Sequence, residues 1–322
     1  MQNFRLTSLF FAAIAIVFAM APAHAQSGKA THIIVPFAPG GGVDIVARNL
    51  AQQLSKTWGQ QVLVENRAGA SGNIGAEAVA RAAPDGATLL FSASTFVVNP
   101  VVAAQKPPFD PIKDFTSIAL IARGPVLLIA HPSTGSSVEQ FIANAKANPQ
   151  RFNMATGGYG SAGHMAAESF KLRAGLAIPV VLYKGTAPAF IDLMGGQISG
   201  ILDPLVTSLP LAKGGKVNGL ALAAARRSPL APTIPTFAEA GLRGFEFYTW
   251  YGLWGPAGLP AATLRNIENA VADAGGSAEF RVWLETQGLE FGALTGNAFV
   301  EFSRREQALY EDIVKKGNIT LQ

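Results

Sequence analysis

Any chemistry this chain performs has to come largely from uncharged loops. Four segments, PFAPGGGVD (36–44), AGASGNIG (68–75), SASTFVVN (92–99) and ATGGYGSAGH (155–164), are rich in Gly, Ser, Thr and Ala and contain no Lys or Arg. Each follows a strand or turn, and at least three open a helix. The first N–H groups of a helix have no intrahelical acceptor and carry a partial positive charge, so they suit an anion. Glycine fits such a loop because a Cβ would hold the ligand away from the backbone. A charge-assisted hydrogen bond contributes about 1.5–3 kcal/mol net, so three or four hold one carboxylate at roughly micromolar affinity. The competing reading is that the glycines only make tight strand-to-helix turns.

Other chemistries find less support. The absence of cysteine excludes disulfides, zinc–thiolate sites and cysteine nucleophiles. No phosphate-binding G-x-x-x-x-G-K-[ST] run occurs. Gly158, Gly160 and Gly163 do spell G-x-G-x-x-G, but the next strand, IPVVLYKG (178–185), ends in Tyr183-Lys184 where a dinucleotide site wants an acid. The nucleophile elbow G-x-S-x-G fails at Ser71, which has Gly69 before it and Asn73 after it. His32, His131 and His164 are far apart, and no carboxylates show metal-ligand spacing. No metal or cofactor is expected, although a triad assembled in space stays open. The formal charge of +4 is scattered along the chain, which argues against a nucleic-acid surface and supports only a weak preference for anions.

Single residues admit two readings each. Asp44 favours a helix dipole or orients a bridging water. Asp203 caps a turn or meets a ligand, and His164 stands near a helix start. Tyr183 and Lys184 end a strand facing the expected cleft, with Lys184 the only cation near any of these loops. Trp250, Tyr251 and Trp254 read as core more than as cleft lining.

The elements that must carry these residues begin after an export signal. Arg5, the apolar run 9–21 and Ala23-His24-Ala25 predict a leader cleaved after Ala25 and a periplasmic location; the apolar run is too short for a comfortable membrane span. THIIVPF (31–37), a helix with Val43, Val46, Ala47, Leu50, Ala51 and Leu54 on one face, QVLVEN (61–66), a helix at 72–82 and ATLLFSA (87–93) give β-α-β-α-β order. That order implies a parallel sheet with helices on its faces. The theme repeats with strands at 125–131, 178–185, 198–203 and 217–224, helices at 137–149 and 162–175, a short helix at 233–242 and an extended segment at 244–256. Helices at 261–275, 277–288 and 296–317 end the chain. No Gly/Ser or Pro-rich linker separates the halves, so we expect two lobes, 26–123 plus 250–322 and 124–249, joined by strands crossing near 121–126 and 243–252. Ligands in open α/β sheets sit beyond the carboxyl ends of strands, which is where the four loops fall.

Five stretches, IIVPFAPGGGVDIVAR, VENRAGASGNIGAEAVARAAPDGATLLF, MATGGYGSAGHMAAESFK, VLYKGTAPAFIDLMGGQISGILD and IPTFAEAG, resemble, in order, the exported receptors of the tripartite tricarboxylate transporters, also called Bug receptors. The resemblance runs through nearly the whole chain after the leader. It implies a two-lobed periplasmic-binding-protein fold of type 2, each lobe a mostly parallel sheet flanked by helices. It implies a non-catalytic receptor closing over a small di-, tri- or aromatic carboxylate, and a membrane permease of one large and one small subunit as partner; a monomer is expected. Such receptors grip a carboxylate through main-chain groups and ordered waters. On this sequence that role falls on Pro39, Gly40, Gly41, Gly42, Val43 and Asp44, and on Ala70, Ser71, Gly72, Asn73 and Ile74. Ser92 and Thr95 match the third first-lobe loop; Thr156, Gly157, Ser161 and His164 match the second-lobe loop, and Asp203 the strand-end acid. Leu182 and Thr186 stand where proline and glycine are more typical, which leaves ligand identity open. Without an ammonium-binding pair of acids an amino-acid ligand is disfavoured, though Asp203 alone would serve one. The alternatives are an exported α/β hydrolase or transferase, or a receptor presenting its ligand to a membrane kinase.

Overall fold

The computed structural model describes residues 30–102 and 106–317; the expected leader and its cleavage after Ala25 lie outside them. Strand β1 (Thr31–Val35) pairs in parallel with β2 (Val62–Asn66) and β3 (Thr88–Ala93). Helix α1 (Gly42–Trp58) packs Val46, Ala47, Leu50 and Leu54 onto them, as the 3.6-residue spacing of these side chains requires. Helix α2 (Asn73–Ala80) and α3 (Thr95–Val102) follow β2 and β3. In the second half, β5 (Met154–Thr156) lies between β6 (Val180–Leu182) and β7 (Gly200–Pro204), all parallel. Helices α4 (Val138–Ala147), α5 (Ala162–Ala174), α6 (Thr186–Met194) and α7 (Leu205–Lys213) accompany them, with β8 (Asn218–Leu222) beyond.

One long strand joins the halves. Residues Phe115–Pro125 of β4 (Phe115–Ala130) pair antiparallel with β9 (Tyr248–Pro256), and Val126–Ala130 pair with β7 and β8. The chain thus crosses at Pro125/Val126 and returns just before Tyr248, inside the segments where crossing was expected. Each half is a mixed sheet, because these crossing strands run against the parallel βαβ strands. Helices α8 (Ala261–Gly276) and α9 (Ala278–Thr286) follow β9, then β10 (Glu290–Thr295), which pairs with the first part of β4, and α10 (Gly296–Gly317). The ending therefore returns to the first half.

Three helices escaped the sequence reading. α6 and α7 contain Pro188 and Pro210, and α3 contains Pro100. Pro188 sits in the first turn, where the lost N–H bonds nothing in the helix. The expected short helix at 233–242 is a run of turns. Thr236 and Glu239 exchange the two hydrogen bonds of a capping box, at 2.7 and 3.2 Å. Gly241, at φ +87°, stops the helix after a single turn.

Candidate ligand-binding cleft

Five helices start at a cleft between the two halves. The cleft wall includes Gly41 and Gly42 at the start of α1, Ser94 and Thr95 at α3, Ser161 and Ala162 at α5, Gly185 and Thr186 at α6, and Pro204 at α7. No side chain caps α1, α6 or α7, which leaves their first N–H groups for another acceptor. Each helix start carries roughly half a positive charge. Among the described residues, the wall holds no Lys, Arg or His, and its ionisable groups are Asp203 and Tyr251. A site of this kind holds an anion by fixed dipoles and lacks any cation to pair with it.

The glycine loop of α1 is shaped from behind. The Asp44 carboxylate accepts from the Gly40 N–H at 3.0 Å, from Asn66 Nδ2 at 2.9 Å and from Arg48 Nε at 3.0 Å. Burial pushes its pKa up, but these bonds outweigh that and hold it below the usual carboxylate range. Positive φ is needed at Gly40 (+81°), while Gly41 is extended at φ −80°. Gly42 is indispensable for another reason: a Cβ there would lie 2.6 Å from Tyr251 Oη.

The loop before α5 is braced in the same way. Ser161 Oγ accepts from the His164 N–H at 3.1 Å and sits 3.2 Å from Thr156 Oγ1. His164 Nδ1 accepts from the Gly160 N–H at 3.2 Å. Burial is the main reason its pKa drops to about 4; Glu168 opposes that and Lys171 adds to it. The ring is therefore neutral, with its proton on Nε2. Close packing brings α6 to this loop, because a Cβ on Gly157 would lie 2.8 Å from the Thr186 nitrogen.

Asp203 lies at the end of β7, only 2 % exposed, and accepts a hydrogen bond from Thr207 Oγ1. Burial raises its pKa to about 7 against the lowering effect of Thr207. A Cβ on Gly163 would run into the Leu202 carbonyl, so α5 sits tightly on this strand end. Tyr251 Oη and Ser94 Oγ are buried, and among the described residues neither makes a close hydrogen bond.

Of the residues singled out from the sequence, Gly41, Gly42, Val43, Thr95, Thr156, Gly157, Ser161 and Asp203 line the cleft. The others stand outside its wall. Pro39 and Gly40 are exposed on the loop, and Asp44 and His164 brace loops from within. Ser92 is buried in β3, opposite Gly252. Ala70, Ser71 and Gly72 form a turn behind Phe37 that leads into Asn73 and Ile74 at the start of α2; a Cβ on Gly72 would sit 3.2 Å from that ring. Ala70 and Ser71 both have positive φ, 46° and 53°, and Ile74 is 54 % exposed. Tyr183 stands off the cleft wall: its hydroxyl donates to Asp192 at 2.5 Å, and burial and that bond push its pKa to about 12. Lys184 is exposed and likewise off the cleft wall.

The reading from sequence missed Phe37, Ala38, Ser94, Thr186, Thr249 and Tyr251. A signal for the last two existed. Thr249 and Tyr251 alternate with Trp250 along β9, so the two sets face opposite sides of the sheet. Trp250 and Trp254 share one core cluster with Phe299, while Tyr251 belongs to another with Phe91.

Comparison with known proteins agrees with this geometry. The chain matches the family described as the Tripartite tricarboxylate transporter family receptor over residues 46–319. It is 35% identical over 250 residues to protein BugT of Bordetella pertussis (strain Tohama I), covering 77% of each chain. Among solved structures, Rpa4515 of R. palustris with adipate superposes with a TM-score of 0.87 and 34% identity, covering 90% of this chain and 97% of that one. MatC from Rhodopseudomonas palustris with bound malate gives a TM-score of 0.83 and 32% identity, covering 88% and 99%. With its two-lobed fold and uncharged, helix-ringed cleft, the chain belongs to the tripartite tricarboxylate transporter receptor family, the family of the Bug proteins, and is a solute-binding protein rather than an enzyme.

Proposed function

We propose that this protein is a periplasmic receptor that captures a small carboxylate between its lobes and delivers it to a membrane permease of one large and one small subunit. The observation that carries this reading is the convergence of five helix N-termini on a cleft wall free of Lys, Arg and His. Two relatives whose structures hold adipate and malate support the ligand class. Export and cleavage after Ala25 rest on the leader residues Arg5, the apolar run 9–21 and Ala23-His24-Ala25, and the membership of a family of periplasmic binding proteins supports the location. The lobes are 26–123 plus 250–322 and 124–249, a division supported by the partner change of β4 at Pro125/Val126. The carboxylate meets Gly41, Gly42, Val43, Thr95, Thr156, Gly157 and Ser161, with Ser94 and Thr186 added from the cleft wall.

A melting-temperature panel tests the ligand class. Ligand at 100-fold over its Kd adds about 2.7 kcal/mol to stability. Mono-, di- and tricarboxylates are expected to raise Tm; sugars and cationic amines are not. A shift with sugars alongside a silent carboxylate set overturns the reading.

A further inference from the structure

The cleft contains one feature that an anion site would not be expected to tolerate, a buried carboxyl group. Asp203 lines the same wall as the helix starts. Among the described residues, no cation answers it from any neighbouring element. Thr207 faces it from α7, whose Lys213 is at the far end. Leu127 stands opposite on β4. On α5, Gly163 is beside it; His164 is neutral and turned to Gly160, while Glu168 pairs with Lys171 at 2.9 Å. On α1, Asp44 is occupied by Arg48 and Asn66. From β9 come Thr249 and Tyr251, both uncharged, and among the described residues the Tyr251 hydroxyl makes no close hydrogen bond. Burial above all keeps that phenol protonated, against the opposing effect of Thr249.

Resting on the carboxylate reading above, we infer that Asp203 enters the complex as the neutral acid and, with the Tyr251 hydroxyl, donates hydrogen bonds to an acceptor at the ligand's second end. A dicarboxylate is then held by helix dipoles at one end and by two neutral O–H donors at the other, with no cationic side chain. The free protein is already poised for this, since burial, even against the hydrogen bond from Thr207, brings the Asp203 pKa to about 7. An anion arriving in the same enclosed space repels the Asp203 charge and raises its pKa further. Capture therefore takes up one proton above neutral pH. The proton comes from solvent and rests on a carboxyl oxygen of Asp203; no covalent bond forms or breaks otherwise. A ligand ammonium would demand the opposite, an ionised Asp203.

The test is calorimetric titration of the full mature chain from about pH 6.5 to about pH 8.5, where straight-chain dicarboxylates such as adipate, and malate, are dianions. Affinity is expected to fall, approaching tenfold per pH unit at the alkaline end, with net proton uptake read from buffers of different ionisation enthalpy. Asp203→Asn, which donates from its amide and cannot ionise, is expected to bind with a flat pH profile. Tyr251→Phe is expected to bind more weakly and keep the slope. Each variant must first show a cooperative melt. Binding by the wild type that is independent of pH or strengthens with it, or a slope that persists in Asp203→Asn, overturns the inference and leaves the carboxylate reading standing. Silence with every mono- and dicarboxylate tried at both ends of the pH range overturns both.

Discussion

The Cα of Gly42 faces the hydroxyl of Tyr251 so closely that a methyl group on it would lie 2.6 Å from Oη and 3.3 Å from Val206 Cγ1. The tyrosine cannot yield, because its ring is 1 % exposed and stacked on Phe91 at 6.3 Å. Gly42→Ala is expected to cost about 1–3 kcal/mol by overpacking and to weaken carboxylate binding more than tenfold. Gly41→Ala is the control, since its Cβ would meet Ala38 O and Thr186 Oγ1 at an ordinary 3.8 Å. It should stay within about 0.5 kcal/mol of wild type. Urea titrations of both variants decide it; equal losses would show that the Tyr251 contact is not what demands glycine.

Asp44 ties the glycine loop to α1 and β2 through Gly40, Arg48 and Asn66. Asp44→Asn retains one acceptor oxygen and loses the charge, so about 1.5–3 kcal/mol of stability is expected to go. The acid's folded pKa lies below its ordinary 3.8. Its contribution is therefore present above pH 3.8 and lost as pH falls below it. Wild type and variant should converge in strong acid; a constant gap down to pH 2 (about 2 units under the reference) would contradict this account.

The loops of the cleft were legible because strand ends followed by Gly, Ser and Thr leave little but backbone to act. The fold order was legible for the same reason that α1 was: Val46, Leu50 and Leu54 can be buried together only on a helix. Side-chain direction was not. Lys184 looked like the one available cation, but β6 ends at Leu182 and nothing in the local sequence says which way the next residues turn. Tyr251 was hidden between two buried tryptophans, and only the two-residue period of β9 separates its face from theirs. Asp44 and His164 were visible as polar residues at helix starts; that they hold loops and stay off the cleft wall depends on Asn66 and Gly160, partners the sequence could not assign.

Glycines of the second lobe face first-lobe residues across the cleft. A Cβ on Gly185, already at φ +108°, would lie 3.5 Å from the Ala38 Cβ, and one on Gly158 would lie 3.8 Å from Phe37. Gly185→Val is expected to hold the lobes apart and to strain the backbone by about 1–3 kcal/mol. Small-angle scattering with saturating dicarboxylate should then show a larger radius of gyration than wild type under the same conditions. An identical compaction in both would mean that Gly185 does not gate closure.

His164 is expected to make the protein acid-sensitive well above the carboxylate range. Its folded pKa of about 4 lies below the reference 6.5, so between these values the unfolded chain takes a proton that the native ring refuses. Stability should fall as pH drops from 6.5 to 4, by on the order of 3 kcal/mol. His164→Asn keeps an acceptor for the Gly160 N–H without titrating. The difference between wild type and variant should change across that window; parallel curves would show that the ring does titrate in the native state.

Asp203 should act with the opposite sign. Its folded pKa of about 7 lies above the reference 3.8. Between those values the native protein holds a proton that the unfolded chain releases, so the unfolded state binds fewer protons and stability falls as pH rises. The loss begins near pH 3.8 and is complete once pH passes 7, and its size is on the order of a few kcal/mol. It partly cancels the His164 effect between pH 4 and 6.5, so the wild-type curve alone can look flat while both groups are active. The double comparison separates them. Asp203→Asn should gain on wild type steadily from pH 4 to about pH 7.5, and the same gain should appear in the His164→Asn background, since the two side chains share no hydrogen bond. A gain that is absent in both backgrounds would mean that Asp203 is ionised in the free protein, despite its burial and despite having Thr207 as its only side-chain hydrogen-bond donor among the described residues.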